Sequence, residues 1–173
     1  MGHWPYEYFI ANDPLSTVPA IPVRLVTSVR AHNCRDNRKV AVPTTQTNII
    51  SLRNKTTVLG QPNDKRVHVD VLSVNVTSGD CAFRIILNPT LGGTPVFTSV
   101  SPSGSFAEFD IAGTTVSSGT QSMTFYAESN SSQFIDLSHL GVYLDPGDVL
   151  TISAAALIKI VNAAVGITWH EES

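Results

Sequence analysis

Apolar and polar positions alternate with a period of two along much of the chain, the signature of half-buried β-strands. The cleanest stretch is Arg66 to Thr77. Val67, Val69 and Val71 alternate with His68 and Asp70, the phase slips at Leu72-Ser73, and Val74 and Val76 resume it. A slip inside an otherwise regular strand predicts a bulge. Shorter runs predict strands at Asn48–Leu52, Thr56–Leu59, Cys81–Leu87, Val96–Val100, Phe106–Ile111, Met123–Ala127 and Gln133–Leu137. Two more follow at Val149–Ala154 and Ala163–Trp169, read as a hairpin-like pair of buried strands, although Ser153–Val161 would also tolerate a helix. Turn signals separate these runs at Ser78-Gly79-Asp80, Asn88–Pro95, Ser101–Gly104, Ser117–Thr120 and Asp145-Pro146-Gly147-Asp148. Strands and turns at this spacing predict an all-β sandwich or barrel.

Residues 1–45 break the pattern. They hold half of the ten prolines, at positions 5, 14, 19, 22 and 43. Proline fixes φ and removes a backbone donor, so this stretch suits neither a central strand nor a long helix. We expect an extended N-terminal arm over 1–45 and a sandwich domain over 46–173. The arm carries Trp4, Tyr6, Tyr8 and Phe9, candidate docking residues because aromatic anchors dominate interfaces. They either fold back on the domain or dock on a neighbouring subunit. Ile21–Val29 is strand-like, and the charged run Arg30–Lys39 reads as a solvated loop.

Charge narrows the function. Only 14% of residues are charged and the net charge is −3. Few basic residues follow Arg84, so no basic face for nucleic acid is expected. No apolar run is long enough for a membrane helix and no signal peptide is visible, so we expect a protein made in the cytosol, neither secreted by a cleaved signal nor inserted in a membrane. Cys34 and Cys81 fit no metal or redox spacing and read as reduced, mostly buried thiols.

Candidate chemistry is thin. His68 and Asp70 share a strand face, but no motif supplies a third and fourth metal ligand, and an exposed polar face is the simpler reading. His32-Asn33-Cys34 lacks the third group that orients a catalytic base. Asp145–Asp148 lacks the alternating oxygen ligands of a calcium loop and reads as a type I or II turn. We expect no enzyme activity, no metal and no cofactor.

The C-terminal hundred residues resemble a known pattern. Asn88-Pro89-Thr90-Leu91 closes a strand, and a Ser/Gly-rich hairpin leads to the acidic-aromatic strand Phe106-Ala107-Glu108-Phe109-Asp110. A Leu-x-Pro-Gly-Asp-x-Leu-x-Ile turn and strand spans Leu144 to Ile152, and the chain closes on Gly166-Ile167-Thr168-Trp169-His170-Glu171-Glu172. These pieces resemble the C-terminal β-domains of tailed-bacteriophage virion proteins, found on capsid decorations, head fibres and tail fibres. The resemblance implies a single jelly-roll-like β-sandwich of about eight strands. It also implies a homo-oligomer, a trimer by family habit, located in the virion with the major capsid protein or other virion proteins as partners. A capsid decoration or cement protein on the head exterior is the first expectation. The alternative is a tail or fibre-tip module binding a host receptor through the Ser/Thr-rich loops around 88–104 and 113–122, where only Phe97 and Phe106 offer aromatic faces.

Self-association has a further motive in the sequence. Ala154–Val161, Lys159 apart, is apolar on both strand faces, which predicts a strand buried on both sides and covered on one of them by a symmetric neighbour or, within one chain, by the N-terminal arm. This makes Leu157, Ile158 and Ile160 candidate oligomer-interface residues.

Overall fold

A computed structural model describes residues 30–32, 38–100 and 104–172, with the backbone alone at 30–32 and 38–39. The chain runs through β1 (Arg30–His32), β2 (Arg38–Val42), β3 (Thr47–Asn54), β4 (Thr57–Val58), β5 (Gln61–Pro62), β6 (Val67–Thr77), β7 (Cys81–Leu87) and β8 (Thr90–Gly93). It continues through β9 (Thr98–Ser99), β10 (Ala107–Asp110), β11 (Gly113–Ser117), β12 (Thr120–Ala127), β13 (Ser131–Asp136), β14 (Tyr143–Leu144), β15 (Val149–Ala156) and β16 (Val161–Glu171). A 3-10 turn at Ser138–Leu140 is the only helical element among the described residues.

Two antiparallel sheets stack face to face. One has the order β2–β16–β6–β13, with β1 also on β16 and β14 also on β6. The other has the order β12–β7–β15–β3–β10–β9. Taking the eight long strands β2, β3, β6, β7, β12, β13, β15 and β16 in chain order, the first, eighth, third and sixth form one sheet. The second, seventh, fourth and fifth form the other. That is the strand order of a jelly roll, two Greek keys wrapped into a sandwich. The expected all-β, jelly-roll-like sandwich of about eight strands is the fold observed.

Alternation builds the core as the pattern requires. Val67, Val69, Leu72, Val74 and Val76 of β6, with Val165, Ile167 and Trp169 of the neighbouring β16, pack in one core with Phe83 and Ile85 of β7 and Ile152 of β15 from the other sheet. The expected bulge lies in β6, two residues earlier than the phase slip suggests. Thr168 pairs with Val71 and Trp169 with Val69, leaving Asp70 as the extra residue. The distortion lets the Asp70 carbonyl accept a hydrogen bond from the Leu137 N–H at 2.7 Å. The turn at Asp145–Asp148 closes with Asp148 N–H donating to the Asp145 carbonyl at 2.9 Å, and Gly147 takes a φ of 98°. Proline second and a left-handed glycine third define type II.

Four inter-sheet loops meet at one end. Ala156 N donates to the Pro43 carbonyl (2.8 Å), Leu157 N to the Asp80 carbonyl (3.0 Å), and Ser129 N to Asp80 Oδ1 (3.0 Å). The insertion between β7 and β12, which carries β8 to β11, is pinned to the sandwich by two buried carboxylates. Asp110 accepts from the backbone N–H of Val96 (2.6 Å), Ala112 (3.1 Å) and Gly113 (3.0 Å) and from Asn48 Nδ2 (3.2 Å). Glu171 accepts from the Phe106 N–H (2.9 Å) and the Ser105 hydroxyl.

Three expectations need correction. The sheet takes in residues placed in the arm: Arg38–Val42 pairs with Val161–Val165, Arg30–His32 pairs with Trp169–Glu171, and Val42 is fully buried. The charged run Arg30–Lys39 is therefore not simply a solvated loop; the backbone at its two ends pairs with β16. Second, Ala154–Val161 is not one strand. β15 ends at Ala156, and Leu157–Ile160 forms the loop to β16. Third, both-face burial is real within β15 but needs no neighbour. Its polar positions Thr151 and Ser153 are buried by the same chain, hydrogen-bonded to the Ser51 hydroxyl (2.8 Å) and to Gln46 Nε2.

Candidate functional site

Trp4, Tyr6, Tyr8 and Phe9 lie outside the described residues. The other candidate interface residues are placed. Leu157, Ile158 and Ile160 sit on the loop at the four-loop end, 51%, 85% and 66% exposed. The loop is short and starts from the last strand pairing of β15, so its apolar side chains have no sandwich surface to turn toward. An isolated exposed apolar side chain is ordinary, whereas three within four residues at a tip form a patch.

His68 and Asp70 occupy an outer sheet face, as expected, but they are not alone there. The antiparallel register sets His170 directly opposite His68. Their rings stack with centroids 4.7 Å apart and planes 4° from parallel. Each imidazole pairs diagonally with a carboxylate: His68 Nε2 lies 2.9 Å from Glu172 Oε1, and His170 Nδ1 lies 2.9 Å from Asp70. Arg66 covers the Tyr143 ring at 4.5 Å and pairs with Asp145. The hydrogen bond with His68 holds the Glu172 carboxyl below the usual carboxylate range; partial burial opposes this, and the Arg66 N–H and nearby positive charge assist it. Parallel rings aim their nitrogens along the sheet toward separate acids rather than at one point. No group of three or more metal-ligating side chains is found among the described residues. The cluster is a structural clasp between β6 and β16. Two His-x-acid patterns, His68-Val69-Asp70 and His170-Glu171-Glu172, were the only sequence signal for it, and nothing local shows that they face each other.

A cleft that the sequence did not reveal lies between the sheets at the opposite end from the apolar loop. Ile85, Leu87, Met123 and Leu150 form one wall, and Leu140 and Val142, after the 3-10 turn, form the other. It encloses about 630 Å³ and opens to solvent beside Asp145 and Asp148. Those acids are engaged elsewhere. Asp145 Oδ1 accepts from Arg66 Nε (2.8 Å), and Asp148 accepts from Asn88 Nδ2 (2.8 Å) and the Asp145 N–H (3.1 Å). The cleft thus offers apolar volume without converging polar groups.

No protein-family model matches the chain. No curated protein matches it either.

The two aromatic rings near the 88–104 and 113–122 loops are engaged, whereas Tyr126 and Phe134 on β12 and β13 are 63% and 78% exposed. Arg53 lies over the Phe97 ring at 3.9 Å, and Phe106 packs on the core. Cys81 is a free, buried thiol whose pKa is pushed up to about 11 by burial; Cys34 lies outside the described residues. No helix among the described residues is long and apolar enough to cross a membrane.

Proposed function

We propose that this protein is a structural component of a bacteriophage virion, a decoration or cement protein on the head exterior that acts as a homo-oligomer, by family habit a trimer. The observation that carries the reading is the tip loop Leu157–Ile160: a jelly roll presents a cluster of apolar side chains to solvent at one end. Such a cluster favours being covered, and copies related by a cyclic axis cover one another at once. The resemblance of Asn88–Glu172 to phage virion β-domains supplies the setting, and residues 1–29 with their aromatic group supply a docking arm toward other virion proteins. The glycan-binding fibre-tip alternative is less well supported, because Phe97 and Phe106 are already engaged.

Immunogold labelling of purified particles tests this reading. Label on heads is the expected result, with loss of label when residues 1–20 are deleted from an otherwise folded chain. Label confined to tail tips, or full head occupancy after the deletion, would overturn it.

A further inference from the structure

The apolar tip loop and the apolar cleft lie at opposite ends of one sandwich, and no described residue covers either. We infer that the loop Leu157–Ile160 of one copy docks in the cleft between the β7–β12–β15 wall and the Leu140–Val142 segment of the next copy. This rests on the reading of the loop as a self-contact and names the surface that receives it.

Shape makes the first match. The loop is a preformed knob. At its start Ala156 N donates to the Pro43 carbonyl and Leu157 N to the Asp80 carbonyl, and at its end Val161 pairs with Val42. Between these anchors Ile158 and Ile160 stand mostly in solvent. The cleft is the concave counterpart, about 630 Å³ lined by Leu87, Met123, Leu140 and Leu150 among others. That volume falls within the ~300–1,000 Å³ of sites that bury a compact apolar body. Because the loop is anchored at both ends and the cleft is built on strands, docking orders few torsions and costs little entropy.

Charge makes the second match. The loop carries one base, Lys159, and no acid. Lys159 is exposed and joins no salt bridge among the described residues. The cleft mouth carries Asp145 and Asp148. Arg66 neutralises Asp145. Asp148 is held, among the described residues, by two neutral donors, Asn88 Nδ2 and the Asp145 N–H. A carboxylate with two such bonds keeps its charge and has lone pairs left for a further donor. With Ile158 and Ile160 in the cleft, the lysine between them carries its ammonium on a flexible four-carbon stem to the rim, where Asp148 stands.

The sandwich itself requires a second copy. β15 joins the two ends, with Leu150 in the cleft wall and Ala156 at the start of the loop. Six steps of about 3.3 Å hold them roughly 20 Å apart. β15 lies inside its sheet, between β7 and β3, and cannot fold back on itself. A loop therefore meets the cleft of another molecule, one end against the other. Such a heterologous contact closes into a ring when the rotation between copies permits, and every copy in the ring then has both apolar ends covered.

Disulfide trapping between full-length chains tests the docking, with Cys34→Ser in every chain and the buried Cys81 left in place. One chain carries Ile158→Cys, which keeps Ile160 and Lys159, and the other carries Leu140→Cys; both positions are exposed and so tolerant of change. Coexpressed and oxidised, they are expected to give a covalent heterodimer at least tenfold above that from Ile158→Cys with Phe134→Cys, an exposed position on β13. Adding Lys159→Glu to the first chain should lower the yield at least fivefold, and Lys159→Arg should keep it. Equal yields at the two acceptor positions, indifference to Lys159→Glu, or a dominant homodimer of the Ile158→Cys chain would each overturn the inference. The homodimer would mean that tip meets tip, which leaves the self-contact of the loop standing and removes only its place in the cleft. The readout needs no phage particle. If trapping succeeds while labelling of heads fails, the virion role alone falls; if labelling succeeds while trapping fails, the cleft assignment alone falls.

Discussion

Replacing Ile158 or Ile160 with Asp separates folding from association. If these residues belonged to a strand buried on both faces, one substitution would put an unpaired carboxylate in the core and unfold the chain. The structure instead leaves Ile158 with 85% and Ile160 with 66% of its surface in solvent. Little apolar area is lost from water at either position on folding, so each change should alter folding stability by no more than about 0.5 kcal/mol. Association should respond strongly. Burying an isoleucine contributes about 1.5–3 kcal/mol. Discounted for the surface already covered, the two side chains contribute roughly 2–4 kcal/mol per copy, a factor of about 30 to 1,000 in the association constant. Carboxylates brought together around a symmetry axis repel and add to the loss. Urea unfolding of the single and double variants gives the first quantity, and sedimentation velocity at micromolar concentration gives the second. The expected result is an unchanged urea midpoint with a shift from oligomer to monomer. A folding loss above about 2 kcal/mol, or an oligomer that survives the double substitution, would refute the placement of this loop in the self-contact.

The remaining predictions concern groups inside one chain. Asp110→Ala strands three backbone N–H groups and Asn48 Nδ2; at about 1–3 kcal/mol per stranded buried donor, with some donors recovering water, a loss of roughly 3–5 kcal/mol is expected in urea melts, and a loss below about 1 kcal/mol would contradict the pin. In a Cys34→Ser chain, Cys81 should resist a thiol reagent at about pH 8 until urea unfolds the protein, because burial pushes its pKa up to about 11; fast native labelling would count against it. Glu172 has a lowered pKa in the folded state, so its contribution is present above the ordinary carboxylate range and lost as pH falls through the lower folded value. Thermal midpoints from about pH 6 down to about pH 3 should therefore fall more steeply for the native chain than for Glu172→Gln, and parallel curves would remove the clasp from the account.

Legibility in the sequence followed the range of the interaction. The β6 pattern, the strands β15 and β16 and the Asp145–Asp148 turn were readable because each is set by residues within a few positions; the hairpin-like pairing expected of β15 and β16 is not found, since β15 pairs with β3 and β7 in one sheet and β16 with β2 and β6 in the other. The bulge was foreseen from the phase slip but lies at Asp70, where the freed carbonyl finds Leu137. β8 was read as loop because Gly92-Gly93 between prolines has no alternation; its partner β11 supplies the order from outside. Leu157–Ile160 was read as strand because it is apolar, although apolarity reports a preference for cover and not what provides it. The His68–Glu172 and His170–Asp70 pairs, each bridging about a hundred residues, depend on a register that no local signal encodes.

The sheet edges explain why an end loop, rather than strand addition, carries the proposed self-contact. β12 is the outer strand of its sheet, eight residues long, with no Lys, Arg, Asp, Glu or Pro to blunt it. An edge of that kind invites pairing with another chain. Here the ladder is interrupted by a bulge at Ser122, between the pairs Gln121–Ile86 and Met123–Ile85. Gln133 Nε2 from the other sheet then occupies the Tyr126 carbonyl at 2.9 Å. The opposite edge of the same sheet ends in β9, only two residues long. A bulge with a side-chain cap and a short strand are two separate ways to discourage sheet growth. Growth through open edges would have no fixed copy number, whereas a loop-tip contact around a cyclic axis closes on itself. In the proposed shell role, blunted β12 and β9 edges with an apolar tip at Leu157–Ile160 would favour a closed contact over fibre growth.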